Sequence, residues 1–134
     1  MPTTADLRDS YLHLTPGERA ISLPAEGFWD QLMRGGPDNP DIAAVADGGW
    51  LVSRFTHDGA WPHWERHPHG DEVILALSGS VVFVIESAEG EAERVELLAP
   101  EHLVIPAGRW HRGLDGEAEL VALTAGRGTD HRPA

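Results

Sequence analysis

The sequence predicts an all-β fold, an antiparallel sandwich or barrel. From residue 42 onward, short apolar runs recur at roughly ten-residue intervals, the spacing of small antiparallel folds. Gly, Pro, Asp and Asn punctuate them. Helical periodicity is confined to one short stretch before residue 40.

Taken in order, residues 1–9 read as a loose arm and residues 11–14 as a short strand ended by the turn signal Thr15-Pro-Gly17. Residues 24–33 carry Phe28, Trp29, Leu32 and Met33 at near-helical spacing, which predicts a short helix docking its aromatics on a core. The breaker run of residues 35–40 stops it. Strands are expected near 42–46, 50–57, 62–67, 72–78, 80–87, 92–98, 102–106 and 117–124. Ser78-Gly79-Ser80, Ala88-Glu-Gly90 and Asp115-Gly116 read as hairpin-like turns. At 134 residues one domain is expected, with 1–40 as an N-terminal extension, 42–125 as the barrel core and 126–134 as a tail. The runs 72–78 and 81–85 are apolar on both faces, so both faces should be covered, by the N-terminal segment or by a second subunit; a homodimer is the simpler expectation.

Composition excludes several chemistries. The net charge of −12 disfavours a phosphate-binding surface, so no nucleic-acid partner is expected. All ten basic residues are arginine, and without lysine there is no Schiff-base chemistry. The absence of cysteine removes thiol nucleophiles, thiolate ligands and disulfides. No apolar run approaches the length of a membrane span, so no membrane partner is expected. The N-terminal segment lacks the basic and apolar regions of a secretory signal, and cytoplasmic residence is the default expectation.

What remains is imidazole and carboxylate, and the segment 61–79 (WPHWERHPHGDEVILALSG) concentrates both. His63, Glu65 and His67 share strand parity and point to one face. Pro68 and Gly70 let the chain turn before Glu72 opens the next strand, and His111, just after Pro106-Ala-Gly108, can arrive from across a barrel. Two imidazoles and two carboxylates suit a divalent metal of the Mn, Fe, Ni or Zn type, with open positions for octahedral geometry.

These motifs resemble the cupins. That family's first motif pairs His-x-His with a later Glu and, after six residues, a Gly; Glu72 and Gly79 match its end. Its second motif, Pro-x-Gly, two residues and His, matches Pro106-Ala-Gly108-Arg-Trp-His111, with Pro100 in the slot where Gly usually opens it. In that register His67 is the second histidine of the pair and Glu65 replaces the first. The literal His67-Pro-His69 leaves too few residues before Glu72, so His69 stands as the alternative fourth ligand. The string around Trp64-Glu-Arg-His-Pro68 and the tail Gly128-Thr-Asp-His-Arg-Pro133 are similar to a subgroup of small bacterial cupins. The resemblance, covering roughly residues 50–133, implies a cupin-type double-stranded β-helix, or jelly-roll barrel, binding metal through Glu65, His67, Glu72 and His111.

The resemblance implies two functional classes. One is a metal-dependent enzyme, of dioxygenase or isomerase/lyase type, acting on a small polar or anionic metabolite with Glu65 or His63 as catalytic base. The other is a non-catalytic small-molecule-binding or structural module. Trp61, Trp64 and Trp110 are expected to pack at core or rim rather than recognise substrate. His63 and His131 are expected to be solvated. Arg54, Arg66, Arg109 and Arg112 are candidate anion contacts, though alternation turns at least half of them to water. The acidic run 86–96 reads as a solvated hairpin tip.

Overall fold

The computed structural model describes residues 2–34, 38–125 and 127–134. The strands, in chain order, are β1 (Ser10–Leu14), β2 (Ala20–Pro24), β3 (Trp50–Asp58), β4 (His63–Arg66) and β5 (Glu72–Glu86). They continue with β6 (Ala92–Leu98), β7 (His102–Ile105), β8 (His111–Thr124) and β9 (Asp130–Pro133). Two short helices, α1 (Phe28–Arg34) and α2 (Pro40–Ala43), and a 3₁₀ turn (Ala44–Asp47) precede β3.

The fold is organised by one long antiparallel ribbon. β5 and β8 pair from Glu72↔Thr124 at one end to Ile85↔His111 at the other. One half of the ribbon sits in a sheet ordered β2-β1-β3-β8-β5-β7, the other in a sheet ordered β9-β4-β8-β5-β6. The ribbon bends between the layers, where its register shifts between Ala76 and Ser78 and again between Val81 and Phe83. Gly79 (φ 76°) and Gly116 (φ 117°) occupy the bend. A Cβ on Gly79 would lie 2.0 Å from the carbonyl oxygen of Glu117, and one on Gly116 would lie 2.2 Å from that of Ser80. Only glycine tolerates both the left-handed φ and the close backbone approach.

Ser78-Gly79-Ser80 and Asp115-Gly116 are therefore bends inside continuous strands and not hairpin turns: β5 joins the expected strands 72–78 and 80–87, and β8 starts at His111. The expected strand at 42–46 is helical, because Asn39 caps α2 by accepting from the Asp41 amide and Pro40 is preset for the first helical turn. Residues 35–37 of the expected breaker run lie outside the described residues. β2 and β9 are additions to the expected strands, and α1 begins later than the expected helix.

The core between the layers mixes side chains of both: Ile74, Ala118 and Leu120 from one, Val81, Phe83 and Leu97 from the other. A second cluster joins Phe28 and Ile42 of the N-terminal helices to Tyr11, Leu23 and Leu51. The N-terminal layer thus packs on the β1–β3 side, while Leu77 of β5 and Val104 of β7 are about half exposed. No helix among the described residues is long and apolar enough to cross a membrane.

Candidate metal centre

Four side chains meet at one end of the barrel. β4 and β8 place Glu65 directly opposite His111, so both project to the same face. Glu72 opens β5 opposite Thr124. His67 follows β4 in the loop to β5, where its carbonyl accepts from the Gly108 amide at 3.0 Å. Asp71 accepts from the Ala107 amide at 2.9 Å. These two bonds tie the Pro-Ala-Gly turn to the His67 loop, which sets His67 and His111 side by side with ring centroids 5.4 Å apart.

His67 Nε2 lies 3.4 Å from Glu65 Oε1 and 3.2 Å from Glu72 Oε2. His111 Nε2 lies 3.4 Å from Glu65 Oε1 and 3.2 Å from Glu72 Oε1. One donor atom from each of the four falls within 4.8 Å of the others. Donors held ~2.1 Å from a common ion at angles of about 100–110° stand roughly 3.2–3.4 Å apart, so the spacing fits one metal.

The tautomers fit as well. His111 Nδ1 donates to the carbonyl oxygen of Arg109 at 3.1 Å; a carbonyl only accepts, so the neutral ring carries its proton there and turns the Nε2 lone pair inward. His67 Nδ1 pairs with Thr129 Oγ1 at 3.0 Å. Thr124 Oγ1 donates to Glu72 Oε2 at 2.7 Å and orients that carboxylate. Within the centre, His67 Nε2 and Glu72 Oε1 are buried without a hydrogen-bond partner. Such orphans are rare in a packed interior and ask for a ligand. Two neutral imidazoles and two carboxylates sum to the charge that offsets a divalent cation. This group of residues can hold a metal.

In the metal-free chain the same atoms bind protons. Burial opposes charge on all four groups, but the close approach of imidazole and carboxylate outweighs it. Glu65 and Glu72 are held below the usual carboxylate range by His111 and His67. Burial would lower the imidazoles, yet pairing with Glu65 and Glu72 raises His67 to about 9 and His111 to about 10.

Two cavities meet here. One of about 350 Å³ is walled by Tyr11, Trp29, Phe55, Trp61 and Ile74 and reaches Glu65 and Glu72. A larger one, about 600 Å³, reaches Glu65 and His67 and is bordered by Leu32, Met33, Thr129 and His131. Trp29, His63, Glu65 and Thr124 line both.

His69 is exposed and stands outside the four-residue group, next to Gly128. His63 and His131 are both exposed; His63 lines both cavities, and His131 Nε2 lies 3.6 Å from Glu65 Oε2. Pairing of β9 with β4 sets the exposed His131 opposite Glu65. Trp64 and Trp110 pack as expected. Arg66 and Arg132 sit over the Trp110 ring at 4.5 Å, and Arg132 also covers Trp64 at 4.9 Å. Trp61 lines the smaller cavity and donates to His57 Nδ1 at 3.1 Å. None of the four candidate arginines lines either cavity: Arg54 pairs with Glu119, Arg66 with Asp130, and Arg112 donates to the Trp61 carbonyl. Sequence reasoning missed Thr124, Thr129, Tyr11 and Trp29. Thr129 falls in the recognisable tail string, but nothing in the local pattern marks the other three.

Among solved structures, the chain is similar to peruvianin-I from Thevetia peruviana latex, with a TM-score of 0.53 and 15% identity. The match covers 63% of this chain and 56% of that one. Oxalate decarboxylase from Bacillus subtilis aligns with a TM-score of 0.52 at 16% identity, over 63% of this chain and 23% of that one. A cupin-2 domain protein from Shewanella frigidimarina aligns at a TM-score of 0.46 with 22% identity, over 57% of this chain and 70% of that one. This chain has a cupin-type fold. The chain spans about half the length of peruvianin-I and about a quarter of oxalate decarboxylase. Peruvianin-I is described as a cysteine peptidase, and this cupin-fold chain has no cysteine, so the likeness carries the fold and not the activity. No family model and no curated protein matches the chain.

Proposed function

We propose that the chain is a metal-dependent enzyme acting on a small molecule that enters the aromatic-walled cavity and presents oxygen donors to the centre. The observation that carries this reading is the convergence of two imidazole nitrogens and two carboxylates, with buried unpartnered atoms, where two cavities meet. A structural site closes its ligand shell within the protein, whereas a catalytic site keeps a side open. Here the open side faces both cavities.

Glu65, His67, Glu72 and His111 would hold a divalent transition metal, with Mn, Fe, Zn or Ni favoured over softer ions by the nitrogen and oxygen donors. Such an ion supplies Lewis acidity for isomerase or lyase chemistry or, as Fe(II), dioxygen activation for a dioxygenase. The chain's own residues divide the remaining work. Tyr11, Trp29, Phe55 and Trp61 would pack against a flat, partly apolar body in the cavity they line. Ser53 and Thr124 add hydroxyls to the same wall. His63 stands on the rim of both cavities, within reach of a bound molecule. With no arginine among the described residues lining either cavity, an anionic substrate would be met by the ion itself.

The deciding experiment is elemental analysis of tag-free protein, followed by reconstitution with Mn, Fe(II), Ni and Zn and a substrate screen. Stoichiometric metal that is lost in His67→Ala and His111→Ala, with turnover dependent on it, supports the proposal. Metal without any turnover or small-molecule binding favours the structural module. Failure to bind any of the four ions sinks the metal reading.

A further inference from the structure

We infer that Glu65 bridges two metal positions, the second formed by its outer carboxylate oxygen together with His63 and His131. This rests on the four-residue centre being a metal site.

Glu65 uses its oxygens separately. Oε1 faces His67 Nε2 and His111 Nε2, both at 3.4 Å, while Oε2 faces away from them toward His131 Nε2 at 3.6 Å. That last distance is too long for a hydrogen bond. It matches two donors bound to one ion at ~2.1 Å with an angle of about 120°. The strand register builds the rest. β4 and β9 pair antiparallel with Glu65 opposite His131 and His63 opposite Pro133. His63 and Glu65 are two apart on β4 and share a face, which His131 joins from across the pair. The His63 and His131 rings meet edge to face with centroids 5.0 Å apart, and the three residues offer donor atoms within 4.8 Å of one another.

The position is held from outside. Arg132, next to His131, pairs with Glu86 at 2.5 Å and covers the faces of Trp64 and Trp110. Arg66 bonds Asp130 at 2.6 Å. Both residues flanking His131 are thereby anchored to other strands, which fixes the imidazole over Glu65. Three protein donors leave open positions, and His63, Glu65 and His131 all border the larger cavity.

Charge indicates what this second ion would do. The inner centre is neutral with one divalent cation, and a second one held by two neutral imidazoles and the shared carboxylate leaves a local excess of positive charge. Among the described residues no arginine lines either cavity to attract an anion. A paired centre would supply that attraction and would take an anionic oxygen ligand, hydroxide or a substrate carboxylate, between the two ions.

The test is titration of chelator-stripped full chain with Mn(II), read by calorimetry, elemental analysis and electron paramagnetic resonance. Wild type should take up two equivalents and show an exchange-coupled pair. His63→Ala and His131→Ala should each retain one equivalent and show an isolated Mn(II) signal. His63 is exposed, so its variant is expected to fold as wild type does, which a thermal melt checks. One equivalent in wild type, unchanged in both variants, overturns the bridging assignment and leaves the four-residue centre standing. Two equivalents that persist in both variants also overturn it, by locating the second ion elsewhere. No uptake at all overturns both sites.

Discussion

Glu72 and His111 stand at opposite ends of the β5–β8 ribbon, yet Glu72 Oε1 and His111 Nε2 are 3.2 Å apart. Drawn straight, at ~3.3 Å per residue, the ribbon would separate them by roughly 40 Å. The ribbon therefore curls until its ends meet, and closing the barrel and assembling the centre are one event.

That coupling makes Gly79 a remote determinant of the site. Gly79→Ala forces a left-handed φ and a backbone clash at the bend. A loss of about 2–5 kcal/mol in stability by urea denaturation is expected. Metal uptake should weaken with it, although Gly79 touches none of the four residues. An unchanged unfolding midpoint would show that the ribbon bends elsewhere.

Thr129 positions His67 through Nδ1. Thr129→Val should leave the fold intact and weaken metal binding by about 10–100-fold, as removal of an orienting partner behind a histidine ligand does. Competition against a chromophoric chelator measures this.

The pH dependence separates the metal-free from the metal-loaded protein. The imidazoles of the metal-free chain titrate above their ordinary value, His67 at about 9 and His111 at about 10. Their contribution to stability is full below the unfolded pKa of about 6.5 and is lost as pH rises through 9 to 10. The carboxylates are depressed, so theirs is present above an unfolded pKa of about 4.3 and is lost as pH falls through the lowered values. Metal needs both Nε2 atoms deprotonated, so its affinity rises over the range where the metal-free centre weakens. The melting-temperature gap between loaded and stripped protein should widen from pH 6 to pH 9. A gap that narrows would contradict the ligand set.

Trp110 lies between two guanidinium groups, those of Arg66 and Arg132. Trp110→Ala should cost about 1–2 kcal/mol at ~0.5–1 kcal/mol per cation–π contact. Amide exchange at residues 130–132 should accelerate, because β9 loses its clamp. Equal protection in wild type and variant would place the anchoring of β9 in its ion pairs.

The half-exposed Leu77 and Val104 bear on the proposed homodimer. If a second copy covers them, light scattering gives twice the chain mass and Leu77→Glu halves it. A monomer mass for wild type disposes of the dimer.

Much of this centre was legible in the chain. Residue types narrowed the chemistry to imidazole and carboxylate, because lysine and cysteine are absent. Strand parity placed Glu65 and His67 on one face. The resemblance to cupin motifs singled out Glu72, Gly79 and His111, and the strand texture implied a sandwich or barrel. Those signals survive in one dimension because side-chain alternation and turn chemistry are local. Other features depend on neighbours distant in sequence. Gly79 and Gly116 look like hairpin turns until the β5–β8 pairing shows that they face each other's strands across a bend. His131 is exposed, and only the pairing of β9, three polar residues and a proline, with β4 sets it opposite Glu65. The choice between Glu65 and His69 had the same character: β4–β8 register turns Glu65 to His111, while His69 lies beyond the strand and points to solvent. Residue chemistry and its local period were in the sequence alone. Which side chains converge was decided by register and by the curl of one ribbon, long-range properties that no local pattern encodes.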